Sequence, residues 1–147
     1  MSWVVDHSFT TTLPIDHIKT AFRDNIQKTK GFGKMGRAML GWGWRFSTPQ
    51  KDPFAAPSGP ETPAFSVIGH YGMQNASEPS TTVGAIVQVG TSGRIRLDIW
   101  DDGNHRRVRI RRPKDASLQV RGALKNVFDS YKAADPKIRI TEETLRV

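Results

Sequence analysis

Cysteine is absent from this chain of 147 residues. Disulfides, thiolate metal sites, cysteine nucleophiles and iron–sulfur clusters are therefore excluded. No stretch approaches the roughly 18 uninterrupted apolar residues of a transmembrane helix. The first residues, Met1-Ser2-Trp3-Val4-Val5-Asp6-His7, lack a basic region and carry Asp6 where a signal peptide would be apolar. No lipidation signal is read at either end, so a cytoplasmic location is the expectation. Site motifs are scarce too. The histidines His7, His17, His70 and His105 form no i,i+4 pair, and no G-x-x-x-x-G-K-[ST] loop exists to hold a triphosphate. No serine sits in a nucleophile elbow. The sequence therefore assigns no catalytic residue, no metal ligand and no cofactor.

What it does contain is positive charge, unevenly placed. Lys and Arg outnumber Asp and Glu by 22 to 14, a net +8. Residues 1–24 carry −1, 25–51 +6, 52–93 −3, 94–114 +5 and 115–147 +1, and no acidic residue occurs from Asn25 to Lys51. Such blocks attract anionic partners and say nothing about fold. The remaining composition, 37% hydrophobic and 24% charged, with a mean hydropathy of −0.49, suits a globular chain. At this length roughly 68% of the unfolded surface is buried on folding, enough for a core without staples. One domain over residues 1–147 is expected.

Trp3–Thr11, rich in β-branched and aromatic residues, reads as a strand. Thr12 stands where a helix N-cap belongs, with Pro14 just inside. Ile15, Ile18, Phe22 and Ile26 then share one helical face, and Gly31 ends the helix. Trp42, Trp44 and Phe46 alternate with small or charged residues, giving a strand with one aromatic face. Five prolines make residues 47–63 an extended loop inside the domain. Ala64–Gly72, Thr82–Val89, Arg94–Trp100 and His105–Arg112 follow as strands of an antiparallel meander. Asp115 or Ser117 caps a second helix carrying Leu118, Val120, Leu124, Val127, Phe128 and Tyr131, which ends near Ala134-Asp135-Pro136. Lys137–Thr141 and Thr144–Val147 leave room for one short last strand, since Ile138 and Ile140 alternate with charges. The expected architecture is α+β: a meander sheet of about six strands, a helix after the first strand, and a long C-terminal helix packed on one face.

This order is similar to the helix-grip arrangement, in which a long C-terminal helix crosses a curved antiparallel sheet over a cavity. The similarity lies in element order alone, with one central strand fewer and no place for the tail after residue 136. It implies a cavity lined by Trp42, Trp44, Phe128 and Tyr131, with His70 or Tyr71 as an acid or base. Neighbours on a strand face opposite ways, so one of these two must point outward.

The Arg-rich hairpin invites a register. With Asp102-Gly103 as the central turn residues, Leu97 faces Val108 and Ile95 faces Ile110, and a one-residue slip would part these apolar partners. On the other face Asp98 opposes Arg107, Arg96 opposes Arg109 and Arg94 opposes Arg111. Opposed like charges are destabilising. The arginine pairs call for solvent, for carboxylates such as Glu142 and Glu143, or for a bound anion, and phosphate suits the guanidinium fork. Trp100 and His105 meet near the tip, as a stacking surface for a base or as a cap on the hairpin.

The segment Phe32, Lys34, Arg37, Trp42, Trp44, Arg45 and Phe46 interleaves cations with rings, as single-strand nucleic-acid grooves do. An anionic membrane interface accepts the same pattern, and a core ridge of Trp42, Trp44 and Phe46 is the plainer reading. Gly31-Phe32-Gly33-Lys34-Met35-Gly36 matches G-x-G-x-x-G but follows a helix, so it is not read as a dinucleotide site.

Three functions stay open. The first is a non-catalytic module that binds a polyanion, nucleic acid foremost, through Arg94, Arg96, Arg107, Arg109 and Arg111, with Lys34, Arg37 and Arg45 as a second patch. The second is a carrier of a small apolar ligand, or a cavity enzyme. The third is a subunit whose Pro-rich loop and basic faces meet an acidic protein.

Overall fold

Period-two alternation in the strands and 3.6-residue periodicity in the helices meet on one face of a single sheet. The computed structural model describes residues 3–28, 42–47, 62–73 and 93–146. The chain runs β1 (Trp3–Thr11), α1 (Ile15–Gln27), β2 (Trp42–Ser47), β3 (Phe65–Met73), β4 (Arg94–Asp101), β5 (Arg106–Pro113), α2 (Leu118–Ala134) and β6 (Thr141–Arg146). The six strands pair antiparallel in the order β2-β3-β4-β5-β1-β6. This is the expected α+β arrangement, with the meander β2 to β5 closed by β1 and then β6. The expected strand Thr82–Val89, the glycine-rich segment 31–36 with Lys34, Arg37, and residues 48–61 of the Pro-rich loop lie outside the described residues.

The core lies between sheet and helices. Phe9, Trp44, Val67, Tyr71, Ile95, Leu97, Ile99, Val108 and Ile110 from the strands pack with Ile18, Phe22 and Ile26 of α1 and Val120, Leu124, Val127 and Tyr131 of α2. Burying each large side chain contributes about 1.5–3 kcal/mol. The Tyr131 hydroxyl donates to the Ile18 carbonyl at 2.9 Å, tying α2 to α1. Ser117 caps α2 as expected, its Oγ accepting from the Val120 amide at 3.3 Å. The start of α1 differs from expectation. Pro14 occupies the cap position and no side chain caps there. It is Thr11, not Thr12, whose hydroxyl accepts from the Leu13 amide at 3.2 Å and donates to Asp135 at 2.7 Å. Gly69 of β3 sits opposite Phe46 of β2, where an added Cβ would lie 3.3 Å from the Phe46 ring. Its bareness lets that ring lie across the strand.

The β4–β5 register differs from the expected one by two residues. Leu97 pairs with Ile110 and Ile99 with Val108, while Asp98 faces Arg109, Arg96 faces Arg111 and Trp100 faces Arg107. A two-residue slip leaves every side chain on its own face, so apolar matching cannot detect it. The turn decides instead. The Asp102 amide donates to the His105 carbonyl at 3.0 Å, which makes Gly103-Asn104 the tip. Gly103 has φ +89°, a left-handed backbone that glycine adopts without penalty.

Candidate anion-binding site

Alternation sends Arg94, Arg96, Asp98 and Trp100 of β4, Arg107, Arg109 and Arg111 of β5, and Asp6, Ser8 and Thr10 of β1 to the face turned away from the helices. Most of this charge is buried. Arg111 and Asp98 are 0% exposed, and Asp6, Arg96 and Arg109 are also buried. Desolvated ions persist only when paired with good geometry, and the pairing is visible. Ser66 Oγ donates to Asp98 Oδ1, while Arg96 Nε and Arg109 Nη2 each donate to Asp98 Oδ2 at 2.8 Å. Burial pushes the Asp98 carboxyl up, but the hydrogen bonds from Arg96, Ser66 and Arg109 outweigh it and hold the group below the usual carboxylate range. Arg111 clasps Asp6 with Nε at 2.6 Å and Nη2 at 2.9 Å, a bidentate fork.

The strand pairings align these groups into transverse rows. One runs Ser66, Asp98, Arg109, Ser8, Thr141 across β3, β4, β5, β1 and β6. The next runs Ile68, Arg96, Arg111, Asp6, Glu143 across the same strands. Asp98 and Asp6, absent from the expected site, thus anchor three of its five candidate hairpin arginines, Arg96, Arg109 and Arg111. A single Asp spaced two residues from Arg on a strand, and the lone acidic residue of β1, were the available signals.

The remaining candidates are placed as follows. Trp100 is 6% exposed, with the guanidiniums of Arg107 and Arg109 at 4.7 and 5.2 Å from its ring. It faces Arg107 and not His105, which is exposed beside the turn. Arg94 is half-buried and its Nε donates to His70 Nε2 at 2.8 Å. Arg45, also half-buried, lies opposite His70 on the same face. Tyr71 points the other way, into the core against Trp44 at 5.3 Å. Phe128 and Tyr131 fill space beneath α2, against His7 at 5.0 Å and Phe9 at 5.4 Å. Trp42 is paired with Met73 in the backbone register, and its side chain lies outside the described residues. On the helix side, a groove of about 390 Å³ runs between α1 and strands β2 and β3. There Lys19 covers Phe65 and Arg23 covers Phe46, at 4.4 and 5.2 Å.

Three exposed cations gather elsewhere. β6 begins at Thr141, opposite Ser8, so Phe9–Thr11 of β1 extends past it. A hollow of about 420 Å³ forms there, lined by Ser8, Phe9, Thr10, Arg107, Lys137, Arg139 and Thr141. Arg107, Lys137 and Arg139 are all exposed. Ile138 is 2% exposed, and anchoring it turns its neighbours Lys137 and Arg139 outward. The segment is held at its start by Asp135, whose carboxylate accepts from Thr11 and from the Lys137 amide. The Thr11 hydrogen bond keeps that carboxyl below its ordinary range. Thr141 Oγ1 donates to the Ser8 carbonyl at 3.2 Å. No carboxylate lines the hollow. Lys137 and Arg139 were read in the sequence only as charges alternating with isoleucine in the tail.

Among the described residues no three His, Asp or Glu side chains gather as a metal site, and no helix is long and apolar enough to cross a membrane. No family model matches the chain, and no curated protein matches it. A solved structure titled "De novo designed protein Foldit4" aligns over 100% of this chain and 99% of its own, with a TM-score of 0.45 and 5% identity.

Proposed function

We propose that the protein is a non-catalytic module that binds a polyanion, nucleic acid in the first instance, at the β1–β5–β6 end of its sheet. The observation that carries this is the hollow lined by Arg107, Lys137 and Arg139 with three hydroxyls and no carboxylate. Phosphate oxygens are contacted by just this mixture of cations and hydroxyl donors. Arg107, Lys137 and Arg139 are all exposed and no carboxylate lines the hollow, so the local field has the sign that draws a polyanion in. Arg96, Arg109 and Arg111 have a different role in this reading. Bound to Asp98 and Asp6, they fix the strands that present Arg107.

The test is the salt dependence of binding to fluorescein-labelled single- and double-stranded oligonucleotides, read by fluorescence anisotropy. Three phosphate contacts give a log–log slope of about −2 to −3. The R107A/K137A/R139A variant should lose most of the affinity and flatten the slope. A second variant, K137E/R139E, changes only exposed side chains and should repel the ligand. Absence of binding at low salt, or either variant binding like the parent, would refute the proposal.

A further inference from the structure

A second cationic cavity lies on the opposite side of β1, between the sheet and α2. It measures about 400 Å³ and is lined by His7, Arg112, Arg121, Leu124, Phe128 and Lys132, with the Lys125–Asp129 pair also on its wall. Its position follows from register. His7, Arg112 and Phe9 share the helix-facing side of the sheet, but here α2 presents Arg121 and Lys132 beside Leu124 and Phe128.

The arginines are oriented before any ligand arrives. Arg112 Nε donates to His7 Nε2 at 3.2 Å, and its Nη1 donates to the carbonyls of Pro113 and Lys114 at 3.0 and 3.3 Å. Arg121 Nε donates to the Ala116 carbonyl at 3.2 Å. These bonds occupy Nε and Nη1 of Arg112 and Nε of Arg121, and leave Nη2 of Arg112 and the terminal nitrogens of Arg121 for another acceptor. The two cations work against each other: burial, and then the Arg121 charge, lower the Arg112 pKa from its ordinary value. Nearby acids answer little of this. Lys125 and Asp129 pair with one another at 3.5 Å, and Glu142 lies 3.4 Å from His7 Nδ1 with its side chain 67% exposed. Burial keeps His7 below its usual pKa, so at neutral pH the imidazole is uncharged.

We infer that this cavity binds a phosphate monoester carrying a ring. A dianion answers two opposed guanidiniums where a monoanion answers one, and the planar fork matches paired phosphate oxygens. The ring lies on Leu124 and Phe128. A volume near 400 Å³ is that of a small-ligand site. This site is separate from the polyanion surface, from which it is divided by β1, and it does not depend on that reading.

The experiment is calorimetric titration of the full chain with phenyl phosphate, inorganic phosphate and benzoate, with the His7 ring followed by NMR. Phenyl phosphate should bind about tenfold tighter than inorganic phosphate, because only the ester gains apolar contact with Leu124 and Phe128, a tenfold change being about 1.4 kcal/mol. It should also shift the His7 resonances. The R121Q change, at an exposed position, should weaken phenyl phosphate at least tenfold, while R107A/K137A/R139A leaves it within about twofold. A 5′-phosphorylated trinucleotide set against its 5′-hydroxyl form separates a chain end from a free monoester as the source of the phosphate, and tighter binding of either phosphate probe supports the site. No binding of any phosphate probe at millimolar concentration overturns the inference. So does benzoate binding as tightly as phenyl phosphate, or an R121Q variant that binds like the parent.

Discussion

Replacing Asp98 by Asn removes one charge and almost no volume. Asp98 is 0% exposed and serves two buried guanidiniums, Arg96 and Arg109, each at 2.8 Å. Deleting one member of a buried ion pair costs about 3–5 kcal/mol, because the partner is left desolvated and uncompensated. Here two partners are stranded, and the amide still accepts one hydrogen bond, so the same range applies. A domain near this size loses about 2–4 °C per kcal/mol, which predicts a Tm lowered by roughly 6–20 °C. Urea unfolding followed by tryptophan fluorescence and circular dichroism should show a lower midpoint at an unchanged slope.

The pH dependence supplies a second signature. The folded carboxyl sits below its ordinary value, so its contribution is full above about pH 4 and is lost as pH falls through the lower folded pKa. The gap between parent and D98N should therefore close in acid. R96M/D98L/R109M, which removes the whole buried triad, should recover most of the loss. A D98N variant within about 1 kcal/mol of the parent would refute the reasoning. A gap that stays constant into strong acid would refute it equally.

Three further outcomes follow from other contacts. Tyr131→Phe removes the hydroxyl that joins α2 to Ile18 and should cost about 1–3 kcal/mol in urea unfolding; burial raises the Tyr131 pKa, so its phenolate should appear in alkaline absorbance only with unfolding. Gly103→Ala forces a side chain into φ +89° and should cost about 1 kcal/mol, with Gly103→Asn costing less, as read from thermal melts. His7 is held uncharged chiefly by burial, with Glu142 opposing and Arg112 adding to the effect. The unfolded chain therefore binds the proton first, so stability should fall as pH drops below the ordinary histidine value of 6.5, and His7→Gln should flatten that slope.

Elements with a strong period were legible without coordinates. β1 matches residue for residue, and Ser117 and the face of α2 were readable because capping and 3.6-residue spacing are local properties. Ile95, Leu97, Val108 and Ile110 were assigned to the correct face by the same logic. The pairing between them was not readable, because both candidate registers satisfy that face and the choice rests on whether Asp102-Gly103 or Gly103-Asn104 occupies the tip. The fate of the arginines depended on that choice. Whether Arg109 meets Asp98 is a question of partner across the sheet, and Asp6 answers Arg111 from 105 residues away. Composition reports none of this. The hollow beside Lys137 was equally hidden, since it exists only where β6 stops short of the end of β1.

The charged rows have a consequence for how the chain finds its structure. A hairpin closed two residues out of step conceals the same apolar side chains, so hydrophobic collapse accepts it as readily as the native one. It differs in its electrostatics: both alignments set Asp98 against an arginine, but the misaligned one opposes two arginine pairs, Arg96 with Arg109 and Arg94 with Arg111, where the native one opposes a single pair, Arg96 with Arg111, and answers it with Asp6. Like charges opposed on a desolvating face raise the energy of the misaligned form. The arginines thus separate two alignments that the apolar residues cannot distinguish, and Asp6, reaching across from β1, answers the one opposed pair that the native alignment keeps.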